Sequence, residues 1–164
     1  MALIWITGFS GAGKTTVAKI LQEKMTAAGS HAVLLDGDEL RKALGYTQQY
    51  SRDERKQIAF KYAHLASLIA KQGIDVIVAT ISMFEEVRTW NRQNNASYFE
   101  VYIKVSEQER RARDPKKLYA SGQDLVSEQS LYEEPQNPDV TFDEERKLSP
   151  EDMATIIQQS IFEL

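Results

Sequence analysis

Gly8-Phe9-Ser10-Gly11-Ala12-Gly13-Lys14-Thr15 is the stretch in which residue type and spacing could do chemistry most directly. It reads G-x-x-x-x-G-K-[ST], the pattern of a loop that cradles a nucleotide's phosphates. The glycines let backbone amides turn toward phosphate oxygens with no side chain in the way. A helix starting at Lys14 would add the positive end of its dipole at the same place. Lys14 is then expected to neutralise charge on the transferring phosphate, Thr15 to hold Mg²⁺, and Thr16 to complete the loop. By chance the pattern arises in about one of two hundred chains of this length. The apolar run before it and the helical pattern after it make chance a poor explanation.

Two more clusters fall where such a site would need them. Asp36-Gly37-Asp38 places two carboxylates one glycine apart, which is costly without a cation or a shared proton. Arg41 follows Asp38 by one helical turn and faces the same way. Helix capping by Asp38 explains one carboxylate but not both. Further on, Ile81 and Ser82 follow another apolar run, with Ser82 suited either to the site or to capping the next helix. Tyr50, Arg52, Arg55, Lys56 and Lys61 bring an aromatic near several cations, as a base and its phosphates would require. Some of those cations would simply be the solvated face of a helix. His64 is read as structural, at core spacing with Phe60, Leu65 and Leu68.

The elements that must position these residues alternate between apolar, β-branched runs and amphipathic segments, the signature of a parallel sheet covered by helices. Strands are expected over 3–7, 32–36, 74–80 and 99–105, with a weaker fifth over 139–142. Long helices fit 14–28, 52–72 and 150–162, and short ones 39–44, 84–92 and 107–113. Gly29 and Gly73 stand where left-handed helix caps favour glycine. In such a sheet ligands bind beyond the carboxyl ends of the strands, where all three clusters lie. Arg110, Arg111, Arg113, Lys116 and Lys117 have the charge of a lid closing over a nucleotide. The expectation is a single domain over 1–164 with a lid around 106–134.

Bulk properties bound the function. A net charge of −4 over 164 residues leaves no basic stripe for a nucleic-acid backbone. The absence of cysteine excludes thiolate ligands, thiol nucleophiles and disulfides. A strand beginning near Ala2 leaves no room for a cleavable signal, and no run is long enough to span a membrane. The expected setting is the cytoplasm, with no nucleic-acid or membrane partner.

These pieces together resemble the adenylylsulfate kinases, P-loop kinases that pass the γ-phosphate of MgATP to the 3′-hydroxyl of adenosine 5′-phosphosulfate. The resemblance runs nearly end to end. It is carried by Gly8–Thr16, Leu35-Asp36-Gly37-Asp38 with Arg41, and Tyr50-Ser51 with Arg55. It continues through Ile81-Ser82-x-Phe84 with Arg88, Phe99-Glu100-Val101, Arg113-Asp114-x-Lys116-x-Leu118-Tyr119, and Tyr132-Glu133-x-Pro135 with Asn137-Pro138.

The resemblance implies a P-loop NTPase three-layer α/β/α sandwich on a mainly parallel five-stranded sheet. It implies ATP and Mg²⁺ as cofactors, a small-molecule nucleotide acceptor, and a homodimer as an open option. Lys14, Asp36, Asp38 and Ser82 would be catalytic, with Thr15 and Asp36 at the metal. Gly8, Phe9, Ser10, Gly11, Ala12, Gly13, Lys14, Thr15 and Thr16 would hold ATP. Asp38, Arg41, Tyr50, Arg55, Ile81, Ser82 and Lys116 would hold the acceptor. A phosphoserine at Ser82 is unnecessary, since in-line transfer needs no covalent step.

The departures fall on the acceptor side. The family's Asp-Arg-x-x-Asn-Ile-Arg-Arg is replaced after Arg55 by Ile58, Ala59, Phe60 and Lys61, Met83 stands for a proline, and Lys117 for a glycine. A Phe-Thr-Gly-Ile-Asp segment that supplies a second aromatic clamp is missing. Arg88–Arg92 with Tyr98–Val101 also resembles a subgroup found among surface-polysaccharide genes, with a member acting on cytidine diphosphoramidate. Adenylylsulfate is the leading expected acceptor and cytidine diphosphoramidate the alternative. Two further readings are a non-catalytic nucleotide-binding module, against which both carboxylates argue, and a guanine-nucleotide switch, whose base-reading Asn/Thr-Lys-x-Asp motif is missing.

Overall fold

The computed structural model describes residues 1–48, 50–113 and 131–163. Strand β1 (Leu3–Thr7) lies at the centre of a five-stranded sheet with β2 (Ala32–Asp36), β3 (Asp75–Ala79), β4 (Tyr98–Lys104) and β5 (Val140–Asp143). The spatial order is β2-β3-β1-β4-β5 and every pairing is parallel. β1 is apolar along most of its length because helices cover both of its faces, so neither set of alternating side chains meets water. Period-two alternation splits the strand between two cores. Ile4 and Ile6 pack with Val17 and Leu21 of α1 (Lys14–Ala27) and Ala154 and Ile157 of α6 (Pro150–Phe162). Leu3 and Trp5 pack with Ala59, Ala63 and Ala66 of α3 (Arg52–Ala70) and Val87 of α4 (Glu85–Asn94).

The helix ends explain why these segments stop and start where they do. Ser51 and Ser149 each form a reciprocal capping box, with Glu54 and Asp152, and Pro150 opens α6. Gly29 and Gly73 adopt φ of 88° and 85°, the left-handed conformation expected of them. Asp75, at the start of β3, accepts from the Ala2 amide at 2.7 Å and from the Ser30 hydroxyl, fastening three chain segments together.

Two sequence expectations move. The short helix after β2, α2 (Gly37–Ala43), begins earlier than expected because Asp36, and not Asp38, caps it by accepting from the Asp38 and Glu39 amides. His64 is exposed, not in the core, and stacks edge-on against Trp90 with ring centres 4.4 Å apart; Leu68 beside it is also exposed. The buried face of α3 instead runs through Ala59, Tyr62, Ala63, Ala66 and Ser67. Polar Ser67 and Tyr62 on that face weakened the apolar periodicity that would have revealed it.

Candidate active site

The parallel register places Asp36 beside Ala79 and Ala79 beside Ile6. Three strands therefore end at one level, and Gly37, Thr80 and Thr7 open side by side at the carboxyl edge of the sheet. A cavity of about 410 Å³ lies there. Ser10, Gly11, Gly13, Lys14, Thr15 and Thr16 form its phosphate-loop wall.

The loop's shape depends on glycine where it passes closest to its neighbours. A Cβ on Gly8 would sit 2.5 Å from the Ile103 carbonyl oxygen, and Gly11 and Gly13 adopt φ of 82° and 92°. Gly13 directly precedes α1, so the amides of the helix's first turn face the cavity. Lys14 Nζ donates to the Phe9 carbonyl at 2.9 Å. Gly8 and Ala12 are structural here. Ala12 joins the core, and the buried Phe9 ring packs with Met83 and Tyr102 beneath the Arg110 guanidinium, 4.7 Å from its ring centre.

The two carboxylates separate into different roles. Asp36 uses both oxygens within the protein. Oδ2 accepts from the Thr15 hydroxyl at 2.6 Å, and Oδ1 accepts from the Asp38 and Glu39 amides at 3.0 and 3.3 Å. Asp38, on the first turn of α2, is exposed and lines the cavity. Gly37 between them is required by space, because a Cβ there would lie 3.0 Å from Thr80 Oγ1 and 3.3 Å from the Ala79 carbonyl. Thr15 Oγ1 and the Asp36 carboxylate are hard oxygen donors, few in number, which fits Mg²⁺ completed by phosphate oxygens and water.

The opposite wall gathers the acceptor residues expected from the sequence. Arg41, Tyr50, Arg55, Ile81 and Ser82 all line the cavity. Arg55 Nε donates to the Tyr50 carbonyl at 2.7 Å and Nη1 to the Tyr132 hydroxyl at 3.0 Å, so the guanidinium is held in place at two points. Ser82 does not cap α4, whose N-cap is Phe84. Its hydroxyl lies 2.8 Å from Thr80 Oγ1, and its backbone takes the rare left-handed φ of 30°. The other cations of this region face elsewhere. Arg52 pairs with Glu133, Lys56 with Glu86 at 3.1 Å, and Lys61 with the Tyr46 hydroxyl at 3.0 Å. Lys116 and Lys117 lie outside the described residues. Of the other cations expected in a lid, Arg111 and Arg113 pair with Glu107 and Glu109 one turn back in α5 (Glu107–Arg113), and Arg110 is buried.

Several lining residues are not among those expected at the site from the sequence. Ile58, Tyr62, Phe84 and Tyr132 complete the wall, and Tyr132 arrives from a segment more than fifty residues beyond Arg55's helix. Its position is set by Glu133, whose amide donates to the Met83 carbonyl at 2.7 Å and whose side chain receives Arg52 and the Glu85 amide. Arg88, 3% exposed, donates to the Glu133 carbonyl at 2.7 Å and to Glu85 at 2.6 Å. Beyond it, Glu100 accepts from the Tyr98 hydroxyl at 2.9 Å and faces Arg92 at 3.6 Å. Burial pushes the Glu100 carboxyl above its usual range, opposed by Tyr98, Arg92 and Arg88. The Tyr98-x-Glu100 or Arg88-x-x-x-Arg92 spacing alone does not disclose this network, since it joins three separate elements.

Comparison with known proteins points in one direction. The family model described as adenylylsulphate kinase matches residues 1–143. A cytidine diphosphoramidate kinase of Campylobacter jejuni is 44% identical over 117 residues, covering 71% of this chain and 68% of that protein. A probable adenylyl-sulfate kinase of Pyrococcus abyssi is 35% identical over 162 residues, covering 96% and 93%. The structure of the Mycobacterium tuberculosis APS kinase in complex with AMPPNP and APS superposes with a TM-score of 0.85 at 31% identity, covering 99% of this chain and 98% of that one.

Proposed function

Because the chain belongs to the adenylylsulphate kinase family and is an ATP-dependent kinase that phosphorylates a hydroxyl, we propose that its acceptor is an activated nucleotide and that cytidine diphosphoramidate is preferred over adenylylsulfate. The observation that carries this reading is Ile58. It lines the acceptor wall at the position where the family pattern has an asparagine, so an apolar side chain stands where an amide would hydrogen-bond. Phe60, which replaces an arginine of that pattern, packs beside His64 with ring centres 6.1 Å apart and is not among the cavity's lining residues. It neither supplies a cation nor rebuilds an aromatic clamp. The relative at 44% identity is named for the cytidine substrate, whereas the relatives named for adenylylsulfate stand at 35–36%. Adenylylsulfate remains the second reading because Asp36, Asp38, Arg41, Tyr50 and Arg55 all keep that family's pattern.

The residues divide the reaction between them. The loop amides and Lys14 hold the triphosphate and offset charge that builds on the transferring group. Asp36, locked by Thr15 and by the start of α2, would join Thr15 in holding Mg²⁺, which would supply charge neutralisation at the phosphates. Asp38 accepts the proton of the acceptor hydroxyl as that oxygen attacks the γ-phosphorus in line and ADP leaves. Arg41 and Arg55 grip the acceptor's anionic end, Tyr50 stacks on its base, and Ile81 and Ser82 shape the pocket between them. Lys116 and the segment over 106–134 would close over the nucleotides and exclude water. This is the work of one kinase domain over 1–164, acting in the cytoplasm on a small molecule. Among the described residues no helix is long and apolar enough to cross a membrane.

ADP release measured with adenylylsulfate, cytidine diphosphoramidate and plain nucleoside monophosphates tests the assignment, with Lys14→Ala as the control. The expected outcome is acceptor-dependent turnover that falls at least about a hundredfold in the control, as when one preorganised charge donor is removed. Acceptor-independent ATP hydrolysis, or turnover on monophosphates alone, would contradict it.

A further inference from the structure

The acceptor wall contains a buried hydroxyl that none of the described residues satisfies. Tyr62 is 3% exposed, its ring packed in the core cluster with Leu40, Ala59 and Ala63. Its hydroxyl oxygen is buried and has no hydrogen-bond partner among the described residues. The neighbouring polar groups differ in this respect. Tyr46 receives Lys61, Arg55 is held by Tyr50 and Tyr132, and Arg41 Nη2 donates to the Gln48 carbonyl at 3.2 Å. A buried hydroxyl without a partner is destabilising, and phenylalanine would fill the same space without that cost. Tyr62 nonetheless lines the cavity together with Arg41, Tyr50, Arg55 and Ile58.

We propose that Tyr62 is an acceptor-binding residue whose hydroxyl hydrogen-bonds a phosphoryl group of the bound nucleotide beside Arg41. The inference rests on the reading that the acceptor occupies this wall. Burial pushes the Tyr62 phenol up to about 12, with Arg41 pulling the other way, so the group stays a neutral donor at physiological pH. It adds a hydrogen bond to an anionic group without adding a charge, beside an arginine that already supplies one. A phosphoryl oxygen placed there satisfies a donor that the described residues leave unpaired, and an acceptor lacking it would leave the penalty in place.

The test is Tyr62→Phe, read in two ways. In the protein without substrates the variant melts at the wild-type temperature or above it, because the hydroxyl it loses has no partner among the described residues; a fall of several degrees would mean a structural role and overturn the proposal. With whichever acceptor the wild type turns over, kcat/KM for that acceptor falls about tenfold or more while the KM for ATP is unchanged. An unchanged acceptor kcat/KM, or an equal loss for ATP, would also overturn it. Wild-type turnover on each acceptor reports separately on the acceptor assignment. Should it turn over none of them, that assignment fails, and the melting comparison still decides whether the Tyr62 hydroxyl has a structural partner.

Discussion

Thr15 Oγ1 and Asp36 Oδ2 lie 2.6 Å apart, joining the end of the phosphate loop to the end of β2. The same carboxylate caps α2 and so fixes where Asp38 stands. One side chain thus sets the relation between the phosphate-loop half of the site and the half proposed for the acceptor. Asp36→Asn keeps an equally good cap, so its loss should be confined to turnover, whereas Asp36→Ala should also cost about 1 kcal/mol of stability. Asp38→Asn should lower kcat far more than it weakens ATP binding and leave stability unchanged. Urea melts beside steady-state kinetics of the three variants separate these outcomes. Normal turnover in both asparagine variants would reduce the carboxylates to helix-end residues.

Replacing Ile58 should move selectivity toward adenylylsulfate. Ile58→Asn restores an amide to the wall, and one hydrogen bond to a charged group accounts for up to about a hundredfold in affinity. A several-fold rise in kcat/KM for adenylylsulfate, with no change for ATP, is the expected result. No change would mean that Ile58 does not touch the acceptor.

Arg88→Ala should be strongly destabilising, by about 3 kcal/mol or more, because it removes a partner from inside a buried charge network and leaves Glu100 with Arg92 and the Tyr98 hydroxyl. Arg88→Lys should not rescue it fully, since Lys cannot serve Glu85 and the Glu133 carbonyl with one planar fork. Chemical denaturation measures the loss. Acceptor KM should rise as well, through loosening of the segment that carries Tyr132.

Alkaline conditions should unfold the protein through its buried phenols. Burial raises Tyr62 to about 12, and raises Tyr98 and Tyr102 above the usual tyrosine range too. A folded-state value above the unfolded one means stability that is fully present below about pH 10 and is lost as pH rises through the folded values. Denaturation midpoints should therefore fall between about pH 10 and 12, with phenolate absorbance appearing together with unfolding. Phenolate signal from all the tyrosines near pH 10, in protein still folded, would contradict this.

What the sequence discloses here is what its local patterns encode. The phosphate loop, the paired carboxylates and the alternation of apolar runs with amphipathic helices are short-range, and the structure places Lys14, Thr15, Asp36, Asp38, Arg41, Tyr50, Arg55, Ile81 and Ser82 around one cavity. The sheet is parallel throughout, with each strand within about a residue of its expected bounds. Arg88, Tyr132 and Glu133 stand in the motifs that carry the family resemblance, but their contacts with one another and with Arg55 are not legible there, because they join separate elements over long stretches of chain. His64 shared an apolar spacing that turned out to face Trp90 at the surface. Tyr62 is illegible in the sequence for a different reason. A tyrosine on a buried helix face reads as packing, and only the structure shows its hydroxyl without a partner among the described residues.

The most direct test of the account is a competition in one vessel. The wild-type enzyme, MgATP and equal low concentrations of cytidine diphosphoramidate and adenylylsulfate are mixed, and the early ratio of the two phosphorylated products is read by mass spectrometry. That ratio is the ratio of kcat/KM values. The account predicts that the cytidine product leads by about tenfold or more, equivalent to about 1.4 kcal/mol of transition-state preference. A lead for the adenylylsulfate product would contradict it.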